Sequence, residues 1–265
     1  MRGRVLIVAG SDSGGGAGIQ ADIKTVTALD GYAATALTAL TAQDTQGVHG
    51  IHEVPAGFVR QQIEVVLADI GADAVKTGML HRTEILAVVA ESLAAAAPDV
   101  PLVVDPVMVA KGGASLLDAD TRLVLRERLI AQATVITPNL PEAEILVGGA
   151  IATEADMAAA GRDLLGLGPR AVLMKGGHLP GPEVVDLLVT ADGIQRFASP
   201  RIDTRHTHGT GCTLASAIAT GLAQGLELGA AVARARGYVA EAIRTAPGFG
   251  RGHGPLNHAH TVRGD

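Results

Sequence analysis

The segment THGTGCTLASA, residues 207–217, holds the single cysteine of the chain, Cys212, just after a Gly-Thr-Gly turn and just before an apolar, alanine-rich run. Leu214, Ile218 and Leu222 recur at helical spacing, which predicts a helix whose first turn contains Thr210, Gly211 and Cys212. The first N–H groups of a helix lack internal partners and carry partial positive charge, so they bind anions. Glycines at such a turn, here Gly209 and Gly211, let an oxyanion reach the backbone with no Cβ in the way. The same field favours thiolate over thiol and can lower a cysteine pKa to roughly 3.5–7.5. The segment therefore suits an anion cradle, with either a small buried residue or a reactive base at position 212.

A second glycine-rich loop, AGSDSGGGAGIQAD (9–22), lies between a strand pattern and a helix pattern. It lacks the acidic residue about 20 positions on that marks a dinucleotide fingerprint, and it lacks the GK[ST] of a P-loop. Its expected task is to bring backbone and the small side chain of Ala17 close to a flat or phosphorylated ligand.

Positioning these loops requires a scaffold, and its elements alternate. RVLIVA (4–9), AATALTALTAQ, DAVKTG, PLVVD, TVIT and RAVLMK read as strands, and EVVDLLVT with IQRFA as a hairpin across a DG turn. Ile19, Ile23 and Val26, and then Val59, Ile63, Val66 and Ile70, recur at helical spacing. Further helical patterns occupy 82–97, 119–130, 141–147 and 153–166, and 211–245 reads as two consecutive helices. Such alternation predicts an α/β fold with a mostly parallel central sheet covered on both faces, in one domain. Polar residues then fall at strand ends: Lys76 to Gly78, Asp105, Thr137 with Asn139, and Lys175. The carboxyl edge of an open α/β sheet is where ligands bind, so four such ends on one edge point to a site.

Composition excludes several classes. Of 265 residues 48% are hydrophobic and 18% charged, enough apolar material for a large core and against disorder. A net charge of -6 and the scarcity of aromatics, with no Trp, argue against a nucleic-acid binder. One cysteine makes neither an internal disulfide nor a thiolate zinc cage, which fits a reducing compartment. The apolar run in MRGRVLIVAGSD is too short for a signal sequence, and no apolar span of roughly 18 residues follows. A cytoplasmic protein with no membrane partner is the expectation. The spacing of His253, His258 and His260 fits no zinc pattern.

In order along the chain, AGSDSGGGAGIQADIKT, TALTAQDTQGV, KTGML, VVDPVMVAKGG, ITPNLPEAEIL, VLMKGGH and DTRHTHGTGCTLASAIA resemble the hydroxymethylpyrimidine/phosphomethylpyrimidine kinases of thiamine biosynthesis, members of the ribokinase-like superfamily. The resemblance extends to the GHGPLNHAH ending. It implies a three-layer α/β/α sandwich and phosphorylation, with ATP and Mg2+, first of 4-amino-5-hydroxymethyl-2-methylpyrimidine and then of its monophosphate. It also implies a homodimer. Carried over by motif, Asp22 and Gln43 contact the pyrimidine, and Ala17, Met79 and Val107 sandwich its ring. Gly209, Gly211 and Cys212 surround the transferred phosphoryl group, with Cys212 as the base for the alcohol. Glu142 in NLPE, together with Asn139, organises magnesium, and Asp105 is the second acid. Lys175 lies near the nucleotide phosphates, and Thr207 borders ATP. The resemblance requires no catalytic histidine, so His206 and His208 receive no role. VAKGGASLL departs from the family pattern in a loop expected to cover the substrate, and no motif marks the adenine site.

Two other readings remain open at this point. A pyridoxal kinase, or an enzyme of dual specificity, would phosphorylate a similar hydroxymethyl group on a flat heteroaromatic ring. A non-catalytic pyrimidine sensor would bind ligand without turning over ATP, but it would not need GTGC, NLPE and Asp105 together.

Overall fold

The computed structural model describes residues 1–108 and 119–262, so VAKGGASLL lies outside the described residues. Nine strands form one sheet: β1 (Arg4–Asp12), β2 (Tyr32–Gln43), β3 (Val48–Glu53), β4 (Ala74–Thr77), β5 (Leu102–Val104), β6 (Val135–Ile136), β7 (Ala171–Lys175), β8 (Glu183–Thr190) and β9 (Gly193–Pro200). Their spatial order is β3-β2-β1-β4-β5-β6-β7-β8-β9. The stretch from β2 to β7 is parallel, while β3, β8 and β9 are antiparallel additions at the two edges.

The helices are α1 (Gly18–Ala28), α2 (Ala56–Asp69), α3 (Thr83–Ala96), α4 (Ala119–Val124), α5 (Leu140–Val147), α6 (Glu154–Leu165), α7 (Thr210–Ala223) and α8 (Leu228–Arg244). Strand β1 shows how they are distributed. Alternate side chains leave opposite faces of a strand. Leu6 and Val8 join a core with α2, α3, α5 and α6, while Val5, Ile7 and Ala9 join a second core with α1, α7 and α8. The three-layer α/β/α expectation is met. The helix pattern over 119–130 is met with a change of winding: α4 runs on from Val124 into a π-helical turn, Leu125–Leu129, and ends in a 3-10 turn, Ile130–Gln132.

Strand β3 has no counterpart in the sequence reading. All six of its residues are exposed, so no buried face imposes the alternation by which strands are recognised, and only pairing to β2 makes it a strand. At the other end of the logic, β1 lies between β2 and β4, and the helices after β1 and β4 lie on opposite faces. This is the topological switch point at which a crevice opens beyond the strand ends. Among the described residues no helix is long and apolar enough to cross a membrane.

Candidate active site

A cavity of about 680 Å³ occupies this crevice. Its size suits a drug-sized ligand or two smaller ones side by side. The ends of β1, β4, β5, β6 and β7 form its floor, through Asp12, Lys76, Asp105, Asn139 and Lys175.

The head of α7 faces the cavity with Gly209, Gly211 and Cys212. Gly209 is the N-cap with φ 80°, and no side chain caps the helix, so its first N–H groups stay available to a ligand. A Cβ at Gly209 would overlap the carbonyl oxygen of Gly16, and one at Gly211 would come within 3.1 Å of Lys175 Nζ. The missing side chains thus let two loops touch and bring a cation up to the helix terminus. Lys175 Nζ donates to Asp105 Oδ1 at 3.1 Å and stands 4.0 Å from Glu142 Oε2. Burial works against the ammonium, but Asp105 and Glu142 outweigh it and raise its pKa. Thr137 Oγ1 donates to the same Asp105 oxygen at 3.1 Å.

Glu142 fills two positions at once. It is the N3 residue of a capping box with Asn139, whose Oδ1 accepts from the Glu142 N–H at 2.9 Å while Glu142 Oε2 accepts from the Asn139 N–H at 2.8 Å. It also lines the cavity, and burial, reinforced by the negative Asp105, pushes its carboxyl up to about 7 against the pull of Lys175. Two buried carboxyl groups beside one lysine offer oxygen donors that fit a divalent cation. No group of three His, Cys, Asp or Glu that could cage a metal exists among the described residues. Magnesium, which takes one or two carboxylates and fills its shell with water and phosphate, fits that sparse donor set.

The sulfur of Cys212 departs from expectation. The helix terminus was expected to favour the thiolate. Burial instead pushes the thiol up to about 11, with Lys76 opposing and Asp22 and Asp105 adding to the rise. The N–H of Gly18 supports the thiolate but does not reverse the balance.

On the acceptor side Ala17, Gln43, Met79 and Val107 line the cavity as expected. Gln43 is tied back to the glycine loop, its N–H donating to Ser13 Oγ at 2.8 Å and its carbonyl accepting from the same hydroxyl at 2.9 Å. Asp22 requires a correction. It is fully buried, does not line the cavity, and gives its oxygens to Lys76 Nζ at 2.8 and 2.9 Å and to Ser216 Oγ at 2.7 Å. A ring in the cavity meets Lys76 and not the carboxylate behind it. Burial raises the Asp22 pKa on balance, and the carboxylates around Lys76 overcome burial to raise its pKa as well.

Val184, Pro200, Ile202, Val239, Ala240 and Ile243 give the cavity an apolar recess, Asp186, Ser199, Arg201 and Arg236 from the same segments also line it, and Thr207 is part of the lining. Arg236 holds this recess together: it bonds Asp186 Oδ2 at 2.7 Å and Val184 O at 3.0 Å, joining α8 to β8.

Comparison with known proteins identifies the family. A family model described as phosphomethylpyrimidine kinase matches residues 12–257. The chain belongs to the phosphomethylpyrimidine kinase family. A hydroxymethylpyrimidine/phosphomethylpyrimidine kinase from Streptomyces coelicolor is 50% identical over 96% of this chain and 93% of its own. The thiamine biosynthesis bifunctional protein ThiED of Geobacter sulfurreducens is 56% identical over 97% of this chain, which spans 52% of that longer protein. Among solved structures, an ADP complex of Bacillus subtilis pyridoxal kinase superposes with a TM-score of 0.90 at 35% identity, covering 98% of each chain. The fold of this family member is ribokinase-like.

Three features of the site were not assigned from sequence. Asp12 and His208 line the cavity as a bonded pair, 2.9 Å apart. The pairing of Lys76 with Asp22 is another: Lys76 was expected on the ligand edge, and a charged residue inside the buried strand DAVKTG with an acid on the Ile19–Val26 face of α1 were the available signals for its partner. The apolar recess had none, because its residues come from β8, β9, the following loop and α8.

Proposed function

We propose that this protein transfers the terminal phosphoryl group of ATP to the hydroxymethyl oxygen of 4-amino-5-hydroxymethyl-2-methylpyrimidine, and then a second one to the resulting monophosphate. The observation that carries the reading is the uncapped head of α7, with Gly209 and Gly211, set beside Lys175 and Asp105 in the same cavity as the ring-sized pocket of Ala17, Gln43 and Met79. Phosphoryl transfer needs in-line positioning and stabilisation of oxyanion charge more than covalent help, and amide dipoles with a lysine supply it. Gln43 suits an aminopyrimidine because an amide both donates and accepts. The apolar recess accommodates a flat base. Asp105 and Glu142 would hold Mg2+, which when bound neutralises phosphate charge.

Cys212 has a part in the first transfer alone. An alcohol must lose its proton as the O–P bond forms, whereas a phosphate acceptor is already ionised. A thiol pushed up to about 11 is protonated at rest, so the base role implies an alcohol-phosphorylation rate that keeps rising above neutral pH. The phosphate acceptor should show no such limb. The protein is proposed to work in the cytoplasm as a homodimer of single-domain subunits, which sedimentation of the purified chain would test.

Incubation with Mg-ATP and the pyrimidine, followed by mass analysis, should give products carrying one and then two added phosphoryl groups. A second reading draws on the likeness to a pyridoxal kinase. Exclusive phosphorylation of pyridoxal would replace the first reading, and ligand binding without any ATP turnover would end both.

A further inference from the structure

We propose that His208 is a positioning residue that locks the acceptor-side glycine loop in register with the phosphoryl-binding head of α7, acting through Asp12. The inference rests on the kinase reading for its effect on rate, but its geometry stands alone.

Asp12 ends β1 and is 2% exposed. Its carboxylate organises the loop that follows: Oδ1 accepts from Gly14 N at 2.8 Å, and Oδ2 accepts from Gly16 N at 3.0 Å and Ala17 N at 2.8 Å. The remaining partner comes from the other end of the chain, His208 Nε2 at 2.9 Å from Oδ2. That contact assigns the ring hydrogen to Nε2, since an ionised carboxylate only accepts. Burial opposes ionisation of Asp12, yet the His208 bond and the loop amides hold its pKa below the ordinary carboxylate range.

His208 immediately precedes Gly209, the N-cap of α7. Its own backbone is fixed from behind, where its N–H donates to Gly254 O at 3.1 Å and it pairs with Pro255. The segment carrying Gly254 is pinned in turn, with His253 N donating to Thr45 O at 2.9 Å. The Gly16 backbone lies against both the His208 ring and Gly209. A single side chain therefore spans from the loop that shapes the acceptor pocket to the residue that starts the anion-binding helix. Hydrogen bonds to a buried charge are among the stronger ones, and in-line transfer tolerates little misplacement: about 1 Å costs on the order of 100-fold in rate.

Without His208, Asp12 keeps its bonds to Gly14, Gly16 and Ala17. The pocket loop stays formed as the dominant state, but its tie to α7 is weakened to the Gly18 N–H on Cys212, the Ser216–Asp22 bond and the packing of Gly16 on Gly209. Three readouts follow for the purified full chain. In His208→Phe, kcat per folded molecule should fall roughly 10- to 100-fold for both acceptors. The Gly16 and Ala17 amides should exchange with solvent about tenfold faster, a readout that needs no turnover. His208→Gln, which replaces Nε2–H by an amide N–H, should recover most of both losses. Unchanged kcat or unchanged amide exchange in His208→Phe would overturn the proposal, as would His208→Gln behaving no better than Phe. His208→Asn, too short to reach Asp12, takes the place of Phe should that ring prevent folding. If the unaltered protein phosphorylates neither ring, the kinase reading falls while the exchange result still decides the coupling.

Discussion

The two ends of the cavity are built on opposite principles. At the end that meets the head of α7 the charged side chains stand in pairs: Asp22 with Lys76, Asp12 with His208, Asp105 with Lys175. The recess at the other end presents aliphatic side chains from four separated segments, with one ion pair in its lining, Arg236–Asp186. The first end selects by fixed dipoles and charges, the second by shape. Preorganised charge lowers a barrier because nothing need reorient during transfer, whereas a flat base requires only a dry slot.

The contrast is most exposed at Lys76. Lys76→Met strands Asp22 in the core, and removing one partner of a buried pair costs about 3–5 kcal/mol. Chemical denaturation should show a loss of that size, and adding Asp22→Asn should recover part of it. Next comes Gly211→Ala. Alanine is the better helix former, so the fold should hold, but a methyl 3.1 Å from Lys175 Nζ crowds the anion site. Rapid-quench kcat should fall on the order of 100-fold with both acceptors, because every backbone donor remains but the methyl displaces the anion or Lys175 by a fraction of an ångström to about 1 Å. Cys212→Ala separates the acceptors: about 100-fold loss on the alcohol and little on the phosphate. Equal losses would leave the cradle and remove the base.

At the shape-selecting end effects should be smaller and confined to affinity. Ile202→Ala should raise KM for ATP about tenfold with kcat nearly constant, given ~0.8 kcal/mol per buried methylene. A signal of a different kind is a pH slope. Because Glu142 titrates at about 7 in the fold and 4.5 is its ordinary value, the folded chain retains a proton that the unfolded chain has lost. Its contribution to stability is present below about pH 4.5 and disappears as pH rises through about 7. Glu142→Gln should flatten that part of the ligand-free stability curve, and near pH 8 it should melt higher than the parent while losing activity.

The same contrast explains what could be read in advance. Loops rich in glycine and polar strand ends are local features, and they located the floor, the α7 head and Ala17, while Gln43 and Glu142 came from contiguous motifs shared with the family. The NLPE motif even encoded both of its roles, cap and cavity acid, in four consecutive residues. Asp22 was misplaced because its motif showed that an acid was needed there, not that Lys76 would stand between it and the ligand. The Cys212 thiol was misjudged for a related reason: the helix terminus is visible in a sequence, but the burial that outweighs it is not. Strand β3 and the apolar recess were invisible, since neither has a periodicity or a motif of its own.

The sequence by itself determined the alternation of elements, the α/β class, the family and the two glycine loops, because these follow from short-range periodicity, backbone sterics and contiguous motifs. Tertiary structure decided which charges meet. Asp12 and His208 are 196 positions apart, and Asp22 and Lys76 are 54 apart. Whether a carboxylate faces a ligand, a lysine or a histidine depends on distances across the folded chain and on the water excluded there, and neither is written in any local stretch of residues.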